Sequence, residues 1–234
     1  MRSAAITGFR LVAYVAFAAS FAWLFAFVGD LFITRTVDWG RPVPLAEALA
    51  VDVGWFVLFG VQHSTMARAG VKARLVRVVP PELERSLFVL VSALLLLLLL
   101  WQWRPLPAVV WDVQSSPWRQ LLVGLYLAGW LQTVASSFFI DHFAMFGVRD
   151  ERERPFGTPY LYRAVRHPIY LGFLVVFWAT PRMTVGHLVL AIGMSTYMIV
   201  GIRFEERDLV RRFGDAYRDY QARVPMLVPI TFPY

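Results

Sequence analysis

The chain has no cysteine among its 234 residues. That excludes disulfides, thiolate metal sites and a cysteine nucleophile. Lysine is almost missing as well: Lys72 is the single one, and arginine supplies the rest of the 23 basic residues. Charged residues make up 17% of the chain, where a soluble domain carries about a quarter. No glycine-rich phosphate loop, dinucleotide fingerprint or nucleophile elbow occurs. The four histidines, His63, His142, His167 and His187, are scattered, without metal-ligand spacing, so no metal is expected. His187 reads as structural. No 20–50-residue repeat and no low-complexity linker is visible. A net charge of +7 would raise nucleic-acid binding in a soluble protein. Here the basic residues flank apolar runs, where they set topology, and no nucleic-acid partner is expected.

What is abundant is apolar surface: 58% of residues are hydrophobic and 16% aromatic. It lies in long runs rather than at helical spacing, the pattern of a lipid-facing chain. Six stretches stand out: 9–32, 45–61, 87–103, 121–140, 169–180 and 185–202. A span needs about 20 apolar residues. The fifth stretch has only a dozen before Pro181, so it must tilt, begin earlier or form a short hairpin with its neighbour. The first is longer than a signal-peptide core and is read as a retained anchor. Eighteen of the 23 basic residues fall on one side of this alternation. Both termini are therefore expected in the cytoplasm, in a bacterial-inner-membrane plan. The expected fold is an all-α polytopic bundle with a cytoplasmic C-terminal helical cap. Residues 1–140 form a four-span part. Residues 141–234 supply a loop, a helical hairpin and a tail, and function is expected where the loop 141–166 meets the tail 203–234.

The densest cluster is Arg166-His167-Pro168-Ile169-Tyr170-Leu171-Gly172. Pro168 disfavours helix at His167 and suits the first helical position itself. His167 then sits beside open backbone N–H groups, an end that attracts the carboxylate of an amino-acid-like ligand. Arg166 would add a bidentate partner. Gly172 would permit close approach by a ligand or a neighbouring helix. A plain span boundary, held by Arg, His and Tyr at the interface, is the alternative. The second cluster is Arg203-Phe204-Glu205-Glu206-Arg207-Asp208-Leu209. Two adjacent carboxylates there suit a cationic or hydroxyl-rich ligand. Ordinary helix pairing, Asp208 with Arg212 and Glu206 with Arg203, is the competing reading. Downstream, Phe213-Gly214, Tyr217, Tyr220 and Val224-Pro225 read as an amphipathic helix folding back on the membrane surface.

Taken together, RHPIYLG, an apolar hairpin, EERDL and FGDAYRDYQARVP resemble the C-terminal module of isoprenylcysteine carboxyl methyltransferases and related membrane methyltransferases. The resemblance covers about residues 160–229. It implies S-adenosylmethionine as methyl donor, held by His167, Tyr170, Leu171, Gly172, Glu205 and Glu206, with Arg166 and Arg203 beside them. The upstream segments FGVQHSTMAR, VPPELERS, WQWRPLP and FFIDHF extend it over nearly the whole chain. They look like the bacterial methanethiol S-methyltransferases of the nurim-like group. Members of that group carry Asn-His-Phe-Asp where this chain has Asp141-His142-Phe143-Ala144.

The resemblance implies methyl transfer to the sulfur of methanethiol, giving dimethyl sulfide. The partners expected are a small volatile thiol and membrane lipid, with no obligate protein. An alkanethiol is little ionised at neutral pH, so a base or polarising donor is useful. His63 and His142, at span ends, are the candidates, and Gln62 could hold the thiolate or orient a histidine. A dry apolar site that simply positions both reactants needs no base. The alternatives are another acceptor (a prenylcysteine carboxylate, a phospholipid or a larger thiol) or a non-catalytic nurim-like membrane protein. A transporter is disfavoured, since no ionisable residue lies in mid-span beyond Asp52, near the start of the second stretch.

Overall fold

A computed structural model describes residues 2–41, 43–150 and 155–229. It contains nine α-helices and one short strand pair among those residues. In order these are α1 (Arg2–Val28), α2 (Leu45–Met66), α3 (Ala69–Leu75), α4 (Pro81–Gln102), β1 (Val109–Asp112), α5 (Trp118–Ile140), α6 (His142–Met145), α7 (Pro168–Trp178), β2 (Arg182–Thr184), α8 (Val185–Phe213) and α9 (Asp215–Arg223). Five of them, α1, α2, α4, α5 and α8, are long and apolar enough to cross a membrane. The protein is an all-α integral membrane protein. The remaining apolar stretch, the fifth, is α7, with 11 residues, which spans about 16 Å of the roughly 30 Å a hydrocarbon core requires. It does not begin earlier than the sequence suggests, because Pro168 is its first residue.

The chain divides into two compact units. The first comprises Met1–Val110, His142–Arg152 and Met183–Leu188. Here α4 packs against both α1 and α2, around a core of Phe17, Phe88, Val89 and Ala93. Rows of bulky apolar side chains on every face explain why these helices pack in lipid without a polar stripe. The ends of α1 and α4 are tied in register. Arg10 donates to the Glu82 carbonyl at 2.8 Å and pairs with Asp150, while Trp103 Nε1 at the far end donates to the Val37 carbonyl at 3.2 Å. The segment after α5 is fixed by Arg85 Nε on the Met145 carbonyl (2.7 Å) and Ser86 Oγ on the Gly147 carbonyl (2.7 Å). Gly147 has φ +74°, and a Cβ there would lie 2.8 Å from the Ser86 backbone, so only glycine fits. Asp52 in α2 is buried and accepts the Arg104 backbone N–H at 2.8 Å.

The second unit comprises Trp111–Asp141, Glu153–Arg182 and Val189–Tyr234. Its spine is the α5–α7 contact. A Cβ on Gly172 would come 2.3 Å from Thr133 Oγ1 and 2.7 Å from the Gly129 carbonyl. The missing side chains let two backbones touch, the small-residue device of membrane helix pairs. Helix α8 ends at Gly214, whose φ of +58° turns the chain sharply into α9. On α9, Tyr217 and Tyr220 are buried against Phe156, with ring centroids 5.6 and 5.3 Å away. The amphipathic helix read from the sequence is present, and its apolar face packs on the protein's own loop.

Candidate functional site

The loop before α7 and the tail after α8 meet in the second unit. Arg166 N–H donates to the Pro225 carbonyl (2.9 Å) and His167 N–H to the Met226 carbonyl (3.1 Å). The Tyr220 hydroxyl donates to the Tyr162 carbonyl. This brings the two motif clusters together. Glu206 Oε1 takes Arg166 Nε at 2.6 Å and faces His167 Nε2 at 3.0 Å, while Glu206 Oε2 takes Gln221 Nε2 at 3.0 Å. Arg166 also donates through one terminal nitrogen to the Gln221 carbonyl (3.1 Å) and the Val224 carbonyl (2.6 Å). Glu206 and Arg166 are 14% and 12% exposed, enough removal from water for the pair to matter structurally. Next to it, Glu205 is exposed and accepts one bond, from the Tyr170 hydroxyl at 2.9 Å.

Several expectations change at this level. Arg166 is engaged by Glu206 and two carbonyls, so its fork is not open to a ligand carboxylate. Glu206 pairs across 40 residues with Arg166 rather than with Arg203, which is exposed. Asp208 pairs with Arg211 at 3.0 Å. The open face of Gly172 is taken by α5. Leu171, half-buried, caps the first turn of α7 through its N–H on the His167 carbonyl (3.0 Å). His167 is non-helical, with φ -125° and ψ 65°, consistent with a residue held out of the helix by the following proline. The N–H groups of Ile169 and Tyr170 precede the first bond of the helix and so lack an intrahelical acceptor. Gln221 is the residue that motif reading missed. Its signal was spacing: 217, 220, 221 and 224 fall on one face of a helix.

Tyr220 and Tyr217 sit beside this network. Burial raises both phenols, with Tyr220 pushed up to about 12 although Arg166 pulls the other way. Both stay protonated hydrogen-bond donors at neutral pH.

The other candidates, Gln62, His63 and His142, belong to the first unit. His63 rests on Phe88 (4.8 Å) and Phe59 (5.5 Å). Gln62 Nε2 reaches Met66 Sδ at 3.1 Å and Ser92 Oγ at 3.3 Å. His142 Nε2 lies 2.9 Å from the Tyr14 hydroxyl, and its ring packs on Phe146 at 4.8 Å. Phe146 in turn stacks on Phe17 at 3.7 Å. Met66 and Phe146 both pack on the core that holds Phe17 and Phe88. Both histidines therefore border one aromatic nest that also holds a thioether. Burial lowers the pKa of His142, which keeps its ring neutral at pH 7.

The profile of the NnrU protein family matches residues 53–231. The chain belongs to the NnrU protein family. A relative from Mycobacterium tuberculosis, named methanethiol S-methyltransferase, is 47% identical over 92% of each chain. Another, methanethiol S-methyltransferase 2 of Bradyrhizobium diazoefficiens, is 45% identical over 97% of this chain and 91% of its own. Nurim from Xenopus laevis is 29% identical over 86% of this chain and 76% of its own. The nurim-like resemblance seen in the motifs is borne out. No solved structure matches the chain.

Proposed function

We propose that this NnrU-family protein transfers a methyl group from S-adenosylmethionine to the sulfur of methanethiol, giving dimethyl sulfide. The observation that carries this reading is full-length likeness, at 45–47% identity, to relatives named for that substrate.

The residues of the second unit fit the donor. An exposed carboxylate on Glu205 suits a cationic ligand, the open N–H groups of Ile169 and Tyr170 suit a carboxylate, and Tyr170 supplies a hydroxyl between them. Bound there, S-adenosylmethionine would supply a methyl group on a positively charged sulfur. The chain's own contribution is chiefly positional. Glu206 holds Arg166, His167 and Gln221 as one rigid unit, so the first turn of α7 and the tail keep their spacing. Glu205, adjacent in sequence, is left to face the ligand. In the first unit, a neutral His142 bonded to Tyr14 could accept a proton from a thiol. His63 and Gln62 would hold the thiolate among aromatic rings that keep water away.

The test is reconstituted protein given S-adenosylmethionine and methanethiol, with headspace gas chromatography. Dimethyl sulfide formed in proportion to protein, and lost in Glu205→Gln, is the expected result. Well-folded protein that binds the donor but makes no dimethyl sulfide would move the acceptor to a larger thiol or a lipid. No donor binding at all would overturn the reading.

A further inference from the structure

Two depressions in the second unit lie outside the carboxylate network and share one short piece of chain. The first is an apolar groove of about 460 Å³ along α5, walled by Ala128, Leu131, Ala135 and Phe139 and closed at one end by Tyr160 and Leu161. From 128 to 139 it follows about 16 Å of helix. Gln132 also lines it, and its side-chain N–H donates to the Pro168 carbonyl at 3.0 Å. The second is a cleft of about 240 Å³ lined by Phe156, Thr158, Arg163, Tyr220 and Arg223, with no carboxylate among its lining residues.

Each arginine of the cleft uses only its Nε. Arg163 Nε donates to the Thr158 carbonyl (3.2 Å) and Arg223 Nε to the Asp219 carbonyl (3.1 Å). Among the described residues neither has an acidic partner, which leaves the terminal nitrogens of two guanidinium groups around one concavity. A carboxylate is satisfied by one guanidinium fork, whereas a phosphate has oxygens enough for two. Residues 156–163 line both depressions. Between them Tyr160 has φ +44°, a costly conformation for a residue with a side chain. It is 72% exposed, with its ring 4.6 Å from that of Phe139. An apolar trough on a spanning helix, sharing the 156–163 segment with a cleft whose two arginines have no acidic partner among the described residues, matches an amphiphile with a long chain and an anionic head.

We infer that α5 and the 156–163 segment form a binding site for an anionic phospholipid, one acyl chain in the groove and the phosphate on Arg163 and Arg223. The lipid is a resident of the fold, and the inference does not depend on the methyl-transfer reading. It gives the strained Tyr160 a role, as the lid where chain and head divide.

The experiment is native mass spectrometry of the full chain released from detergent, titrated with phosphatidylglycerol, phosphatidylcholine and inorganic phosphate. Wild type should hold phosphatidylglycerol on the order of tenfold more tightly than phosphatidylcholine. The double variant R163Q/R223Q should bind both alike, while R163K/R223K, which keeps the charge, should retain most of the preference. Ala135→Leu, which fills the groove, should weaken both lipids and leave their ratio unchanged. A preference that survives R163Q/R223Q in protein with an unchanged melting temperature overturns the inference. So does displacement by inorganic phosphate at the same concentration as lipid, which would make this a free-anion site. A double variant that keeps lipid selectivity but loses S-adenosylmethionine also overturns it, and would assign the cleft to the donor.

Discussion

His167 and His142 each anchor a different compact unit, and the company they keep is opposite. His167 faces a carboxylate that also holds an arginine and a glutamine, with its backbone N–H tied to the tail. His142 is ringed by Phe17, Phe143 and Phe146 and lies against the Tyr14 hydroxyl. The first environment fixes a side chain in place through polar partners on both its ring and its backbone. The second buries the ring among apolar side chains, which lowers its pKa and keeps it neutral. The same residue type thus serves as a strut in one unit and a candidate proton acceptor in the other.

The largest expected effect comes from removing the strut's centre. Glu206→Ala leaves Arg166 largely buried without its counter-charge, and should cost roughly 3–5 kcal/mol in thermal unfolding in detergent. Glu206→Gln, which keeps an acceptor, should cost less. If both variants melt like wild type, the network is not holding the tail. Next in size is Gly172→Ala, expected to lose about 1–3 kcal/mol because a methyl group has no room against α5. Thr133→Ala should restore only part of it, since the Gly129 carbonyl still obstructs at 2.7 Å; full rescue would place the clash on the hydroxyl alone. Tyr14→Phe removes a single bond to His142 and should cost about 1 kcal/mol.

Burial lowers the His142 pKa, so its neutral form is favoured in the fold. That contribution is present above the ordinary histidine value of about 6.5 and fades as pH falls toward the lower folded value. His142→Phe should therefore flatten the acid limb of a stability-versus-pH curve, and an unchanged limb would remove His142 as the cause. Smallest of all, Asp208→Ala breaks an exposed pair and should shift stability by less than about 0.5 kcal/mol.

Local features were legible in advance, and long-range pairings were not. Proline fixes its own φ and keeps its neighbour out of the helix, so the start of α7 at Pro168 and the non-helical His167 follow from two adjacent residues. The short fifth stretch announced itself by length, and the tyrosine series announced α9 by spacing. The partner of Glu206 could not be read, because Arg166 lies 40 residues away and Gln221 arrives only after the Gly214 turn. A nearer arginine, Arg203, looked equally good by helix spacing. Gly172 was ambiguous for a similar reason: a glycine shows that something comes close, and only packing shows that it is Gly129 and Thr133. The arginine cleft was invisible because Arg163 and Arg223 read as topology residues. That neither has an acidic partner among the described residues depends on the fold.

The most direct test separates binding from turnover in His167→Ala and His142→Ala, with equilibrium S-adenosylmethionine binding and dimethyl sulfide formation measured on the same purified samples. His167→Ala should lose donor affinity and activity together. His142→Ala should bind the donor normally and turn over slowly. Normal donor affinity in His167→Ala, or lost affinity in His142→Ala, would contradict the division of roles between the two units.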